Sequence, residues 1–135
     1  MFNLFKKPTV IEKPKTLGQL GEEFAQKIYE EKGYEILGAN VFNKKGLRKG
    51  EIDFIAKNKT EIVFVEVKTR ANVETGKFGS AAESVNMFKQ AKFLRAVKLY
   101  LLSNPQYQDL RQRIDVCLVE QSVVDYSLKC AKIMI

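Results

Sequence analysis

The chain has 135 residues and a mass of 15.4 kDa, which is one domain's worth of polypeptide with room for a single sizeable core. Apolar residues at 45% and charged residues at 29%, with no internal repeat, describe a soluble globular chain and exclude disordered and fibrous architectures. Histidine is absent, which excludes Ser-His-Asp and Cys-His nucleophilic catalysis, imidazole-ligated zinc and any histidine pH switch.

Cys117 and Cys130 are too few for a structural zinc site, and so sparse a count points to reduced thiols. The start, Met1 to Lys7, lacks the roughly 7–15-residue apolar stretch of a signal peptide, and no apolar run is long enough for a bilayer. A cytoplasmic protein with no membrane contact is therefore expected. The net charge of +7 is uneven: the excess of Lys and Arg over Asp and Glu is +4 in residues 1–50, +3 in residues 51–100 and 0 beyond. With a pI near 9.4 this is the footprint of a polyanion binder, and equally that of a mildly basic solvated surface.

Residues 1–15 hold two of the three prolines and four lysines without a sustained period, and read as a flexible basic arm before a single domain over 16–135. Thr16 is a candidate N-cap. Leu17, Leu20, Phe24 and Ile28 recur at helical spacing until Lys32-Gly33, where glycine offers a stop. Gly18 and Gly21 cost this helix roughly 1 kcal/mol each relative to alanine, so they are expected to admit another backbone closely. Tyr34 to Phe42 reads as a strand running into the basic loop Asn43-Lys44-Lys45-Gly46. Glu51 to Lys57 and Thr60 to Thr69 read as strands of a β-hairpin turning at Asn58-Lys59. After a loop from Arg70 to Gly79, a helix is predicted from about Ser80 to Ser103, with Met87, Ala91, Leu94, Val97 and Leu101 on one stripe and Pro105 beyond its end. Arg113 to Glu120 reads as a fourth strand. The apolar positions from Val123 to Ile135 do not choose between strand and helix.

The hairpin carries the chemistry. Strand alternation puts Glu66 and Lys68 on one face and Val63, Val65 and Val67 on the other. A two-residue turn at Asn58-Lys59 sets Asp53 opposite Phe64 and diagonal to Glu66 on the same face. Diagonal neighbours lie roughly 7–8 Å apart, a gap that one divalent cation bridges through two carboxylates. A one-residue slip would break this convergence. Carboxylate, carbonyl and water ligands suit Mg²⁺, and no histidine competes. An isolated Glu-x-Lys is more often a solvated or mutually neutralising pair. In this strand the apolar run suggests burial on both faces, where charges are costly unless paired or metal-bound.

Gly21-Glu22, Gly50-Glu51-Ile52-Asp53, Val63-Phe64-Val65-Glu66-Val67-Lys68-Thr69-Arg70, Phe78-Gly79, Lys89 and Arg113-Ile114-Asp115-Val116 together resemble the YraN-like family. That family is similar in fold to the PD-(D/E)XK restriction-endonuclease-like proteins of Holliday-junction-resolvase type, and the likeness runs from about Leu17 to Val119. The resemblance implies an α/β core, a central mixed β-sheet flanked by helices, with an acid on the first helix and a metal site on the hairpin. By position it implies Glu22 as the helix acid, Asp53 and Glu66 as metal ligands with Glu22 completing the shell, Lys68 as the catalytic lysine, and Mg²⁺ or Mn²⁺ as cofactor. Two departures stand out: Ile52, not proline, precedes Asp53, and the segment after Asp125 is short and dissimilar, which leaves the last element and any homodimer contact there open.

Lys44, Lys45, Arg48 and Lys49 before the motif, Arg70 at its end, and Lys89, Lys92 and Arg95 on the long helix are the expected phosphate contacts; each taken singly is equally a solubilising surface charge. Without tryptophan, backbone and shape recognition is expected rather than reading of bases. The resulting expectation is a metal-dependent endonuclease on DNA rather than RNA, with branched or structured DNA as substrate. The alternatives are a nucleic-acid-binding module of the same fold without turnover, and a purely structural assembly partner.

Overall fold

The computed structural model describes residues 12–41, 52–72 and 87–134. In chain order they form α1 (Leu17–Glu31), β1 (Glu35–Val41), β2 (Ile52–Lys57), β3 (Glu61–Asn72), α2 (Met87–Ser103), a 3₁₀ turn (Pro105–Tyr107), β4 (Arg111–Ser122) and β5 (Leu128–Met134). Residues 1–11 of the arm predicted over 1–15, Phe42 at the end of the first predicted strand, the basic loop, Glu51, residues 73–79 of the predicted loop and the start of the long helix at 80–86 lie outside the described residues.

α1 begins where the sequence predicts. Thr16 accepts from the Gln19 N–H while the Gln19 side chain accepts from the Thr16 N–H, a reciprocal cap that satisfies two orphan donors. The helix ends at Glu31, and Gly33 just beyond its cap has a φ of 93°, the left-handed conformation a C-terminal glycine supplies. Its buried line is Gly21, Ala25 and Tyr29, with Leu20 exposed, so the helix is turned from the orientation its Leu/Phe/Ile stripe suggests. The cause is Gly21: a Cβ there would stand 1.8 Å from Thr69 Oγ1, so only glycine lets α1 seat against β3. Gly18 makes no comparable approach, its nearest neighbour being Thr16 Oγ1 at 3.9 Å.

The five strands lie in the order β1-β2-β3-β4-β5. All neighbours are antiparallel except β3 and β4, which run parallel over their full twelve residues. A parallel pair needs a long crossover, and α2 lies in that connection. The undecided carboxyl-terminal segment is therefore a strand, β5, added antiparallel to β4. Each sheet face carries a helix. On the α1 side, Ala25 and Tyr29 pack on Phe54, Ala56, Val63, Val65, Cys117 and Val119. On the α2 side, Phe93, Ala96, Val97 and Leu101 pack on Ile52, Ile55, Ile62 and Phe64. Burying such side chains stabilises by about 1.5–3 kcal/mol apiece, which is why β2 and β3 read as nearly unbroken apolar runs. Of the stripe predicted for the long helix, Val97 and Leu101 face the sheet while Ala91 and Leu94 are exposed; Phe93 and Ala96 take their place. Among the described residues no helix is long and apolar enough to cross a membrane.

Candidate functional site

The hairpin turn lies one residue further on than its sequence suggests. Asn58 Oδ1 accepts from the Thr60 N–H, the Glu61 N–H and the Thr60 hydroxyl, while the Asn58 N–H donates to the Glu61 carbonyl. Asn58 thus pairs with Glu61, the tip is Lys59-Thr60, and the register runs Lys57↔Ile62, Ala56↔Val63, Ile55↔Phe64 and Phe54↔Val65. The pairing ends at Phe54↔Val65, and Phe64 stands opposite Ile55, not opposite Asp53; beyond it β2 meets β3 through the Asp53 side chain.

Asp53 Oδ2 accepts the Val67 N–H at 2.7 Å, so the carboxylate ties the open end of β2 to β3. Lys68 Nζ stands 3.2 Å from Glu66 Oε1, and both side chains are one-fifth exposed. Val63, Val65 and Val67 face α1, whereas Glu66 and Lys68 continue the Ile62-Phe64 face beneath α2, as the alternation requires. Glu66 and Lys68 therefore share one face of β3, and Asp53 reaches β3 through the backbone of Val67. Glu22 is half-buried on α1 and lines a groove of about 560 Å³ with Lys15, Gln19, Gln26 and Asn40. Gly21 against Thr69 brings that turn of α1 beside the outgoing end of β3. Among the described residues no three Asp, Glu or Cys side chains form a group that would hold one metal ion. Asp53 on β2 and Glu66 on β3 are acids of neighbouring strands. The donor set fits a hard cation such as Mg²⁺, which is held by one or two carboxylates and keeps water or substrate oxygens in its other positions.

Arg70, Lys92 and Arg95 are exposed, the last two on the helix over the same sheet face. Lys44, Lys45, Arg48 and Lys49, and the side chain of Lys89, lie outside the described residues. Both cysteines are free. Burial, then the neighbouring Cys130, pushes the Cys117 thiol up to about 12, which makes it a protonated core group and not a nucleophile.

Two features were not foreseen. At the incoming end of β3 and β4, on the α1 side, Arg113 donates to both oxygens of fully buried Asp115 at 2.8 and 3.0 Å and to Glu61 Oε1 at 2.9 Å. The Tyr29 hydroxyl donates to Asp115 at 2.5 Å and the Tyr34 hydroxyl to Glu61. The signal was Arg113-x-Asp115, an acid and a base two apart on one strand face. The second feature is Glu120, 6% exposed at the outgoing end of β4, whose Oε1 has no hydrogen-bond partner. A carboxylate closing the apolar run Val116 to Val119 was its sequence mark.

A mixed sheet with a helix on each face, carrying an aspartate and a Glu-x-Lys on neighbouring strands, defines an α/β protein consistent with a restriction-endonuclease-like core. The family model described as Uncharacterised protein family UPF0102 matches residues 21–119, and the chain belongs to that family, the YraN-like family its motifs resemble. It is 42% identical over 106 residues to a UPF0102 protein of Caldanaerobacter subterraneus subsp. tengcongensis, covering 77% of this chain and 81% of the relative. To UPF0102 protein ABAYE2669 of Acinetobacter baumannii it is 39% identical over 100 residues, covering 74% and 70%. To a UPF0102 protein of Francisella tularensis subsp. tularensis it is 37% identical over 110 residues, covering 82% and 89%.

Proposed function

We propose that the chain is a metal-dependent phosphodiesterase acting as an endonuclease on DNA, with branched or otherwise structured DNA as substrate. The observation that carries this reading is Lys68, half-buried and paired with Glu66 on the strand to which Asp53 is hydrogen-bonded. Asp53 and Glu66 would hold Mg²⁺ or Mn²⁺. Such an ion, when bound, polarises a phosphoryl oxygen and acidifies water. Asp53 is fixed by the Val67 N–H, so its carboxylate needs little reordering to bind. Lys68 is not a ligand for a hard cation; its ammonium would supply positive charge where negative charge develops on the reacting phosphate, preorganised by the strand that carries it. The exposed Arg70, Lys92 and Arg95, with the basic run from Lys44 to Lys49, would track the phosphate backbone.

One observation favours a second reading, a nucleic-acid-binding module without turnover: among the described residues no three acids form a group that would hold a metal ion. A cleavage assay separates the two. Purified protein is incubated with branched, single-stranded and duplex DNA and with RNA in Mg²⁺ or Mn²⁺. The nuclease reading expects cleavage of a branched or single-strand-containing DNA, its loss in Asp53→Asn, and a fall of about 10²–10³-fold in Lys68→Ala with DNA binding retained. Equal rates for wild type and Lys68→Ala contradict the role of the lysine. Binding with no cleavage of any substrate gives the lead to the module.

A further inference from the structure

We infer that Glu120 is a positioning residue for Lys68, the partner to which the ammonium turns when a divalent cation takes Glu66; the inference rests on the metal reading of the hairpin. β3 and β4 run parallel in unbroken register, pairing Glu66 with Val116, Lys68 with Leu118 and Arg70 with Glu120. Paired residues of a sheet share a face, so Glu66, Lys68, Arg70 and Glu120 stand on the same side, with Glu120 diagonal to Lys68. At about 3.3 Å per residue and 4.8 Å between strands, their Cα atoms are roughly 8 Å apart, within the span of a lysine and a glutamate side chain. Glu120 is 6% exposed, and its Oε1 accepts no hydrogen bond although Arg70 and, across β5, Lys129 flank it in register. Both of those cations are exposed and keep their heads in water.

A buried carboxylate oxygen without a donor is costly and calls for a physical account. Lys68 is the half-buried cation at hand. With no metal bound, its ammonium sits on Glu66 Oε1 at 3.2 Å, and a cation arriving at Glu66 competes for that carboxylate. The displaced ammonium would then lie half-buried beside a divalent charge that repels it. Glu120 offers it a carboxylate on the side away from Asp53, so Lys68 stays charged and ordered at the edge of the site. Binding of the cation and movement of the lysine are thereby coupled, and Glu120 should tighten cation binding without touching the cation.

The test is calorimetric titration of Mg²⁺ into the full chain, with no nucleic acid, for wild type, Glu120→Gln, Lys68→Ala and the double variant. Glu120→Gln removes a buried unpaired charge without changing shape, so it should fold at least as well as wild type, which thermal melting verifies. The expected result is a several-fold weaker Mg²⁺ affinity in Glu120→Gln, and no effect of that substitution once Lys68 is alanine. An unchanged affinity in Glu120→Gln overturns the inference, as does an equal loss with and without Lys68, which would make Glu120 a contact of the hydrated cation itself. Wild type that binds no Mg²⁺ overturns the metal reading and this inference together, whereas binding that ignores Glu120 overturns this inference alone.

Discussion

At Gly21 the backbone of α1 comes so near β3 that a methyl group would lie 1.8 Å from Thr69 Oγ1 and 2.8 Å from its Cβ and Cγ2. Neither the strand nor the helix can yield without opening the core between Tyr29 and Val65, so Gly21→Ala should destabilise by about 1–3 kcal/mol and lower the melting temperature. Gly18→Ala meets nothing closer than 3.9 Å and should be neutral or mildly stabilising in the same melt. Glycine content alone marks both residues equally; only the position of β3 distinguishes them. Asn58 teaches the same lesson at the hairpin. Its side chain collects three donors from Thr60 and Glu61, which moves the turn by one residue and sets Ile55, not Asp53, opposite Phe64. Sequence spacing gives the parity of β3, which puts Glu66 and Lys68 on one face. The register between the two strands depends on the turn's hydrogen bonds, which spacing does not report.

At the scale of elements, the ion network joining α1 to β3 and β4 controls the docking of the first helix. Burial, and then the hydrogen bond to Asp115, holds the Tyr29 phenol well above the ordinary tyrosine value. The folded state therefore keeps that proton more tightly than the unfolded chain does. Its contribution is intact below the unfolded value of about 10 and is lost as pH rises above it. Glu61 has the opposite sign: the Tyr34 hydroxyl, then the charges of Arg113 and Arg111, lower it, so its contribution is intact above about 4.3 and fades as pH falls further. Tyr29→Phe should cost about 1–3 kcal/mol at neutral pH, by leaving a buried carboxylate oxygen one donor short, and should make the loss of stability above pH ~10 shallower in denaturant titrations. An unchanged alkaline limb would remove Tyr29 from the linkage. The elements themselves were legible: α1, the four strands through β4 and the long helix follow from caps, period and β-branched runs. The helix orientations were not, because in α1 a glycine contact and a buried hydroxyl outrank leucine, and in α2 the aromatic Phe93 takes the inward place expected for Leu94. The last strand was undecidable, since β5 owes its conformation to the free edge of β4 rather than to its own pattern.

For the molecule as a whole, the positive excess of the first hundred residues should be read by a polyanion as a field before any contact forms. DNA affinity is therefore expected to fall steeply with salt and to survive Asp53→Asn, because counterion release from phosphates supplies it and the acids do not. Each phosphate neutralised contributes about 0.9 to the slope of log affinity against log salt, so reversing Lys44 and Lys45 together should flatten the slope by roughly 2 in a fluorescence anisotropy titration. A slope that does not change assigns those lysines to the solvent. Narrower than binding is the proposal that Asp53 and Glu66, on the two strands of one hairpin, jointly hold a divalent cation beside Lys68. Anomalous diffraction from crystals grown with millimolar Mn²⁺ tests it most directly. The claim predicts a peak bonded to a carboxylate oxygen of each acid at about 2.0–2.5 Å, lost in Asp53→Asn. Well-ordered Asp53 and Glu66 side chains with no peak between them would contradict it.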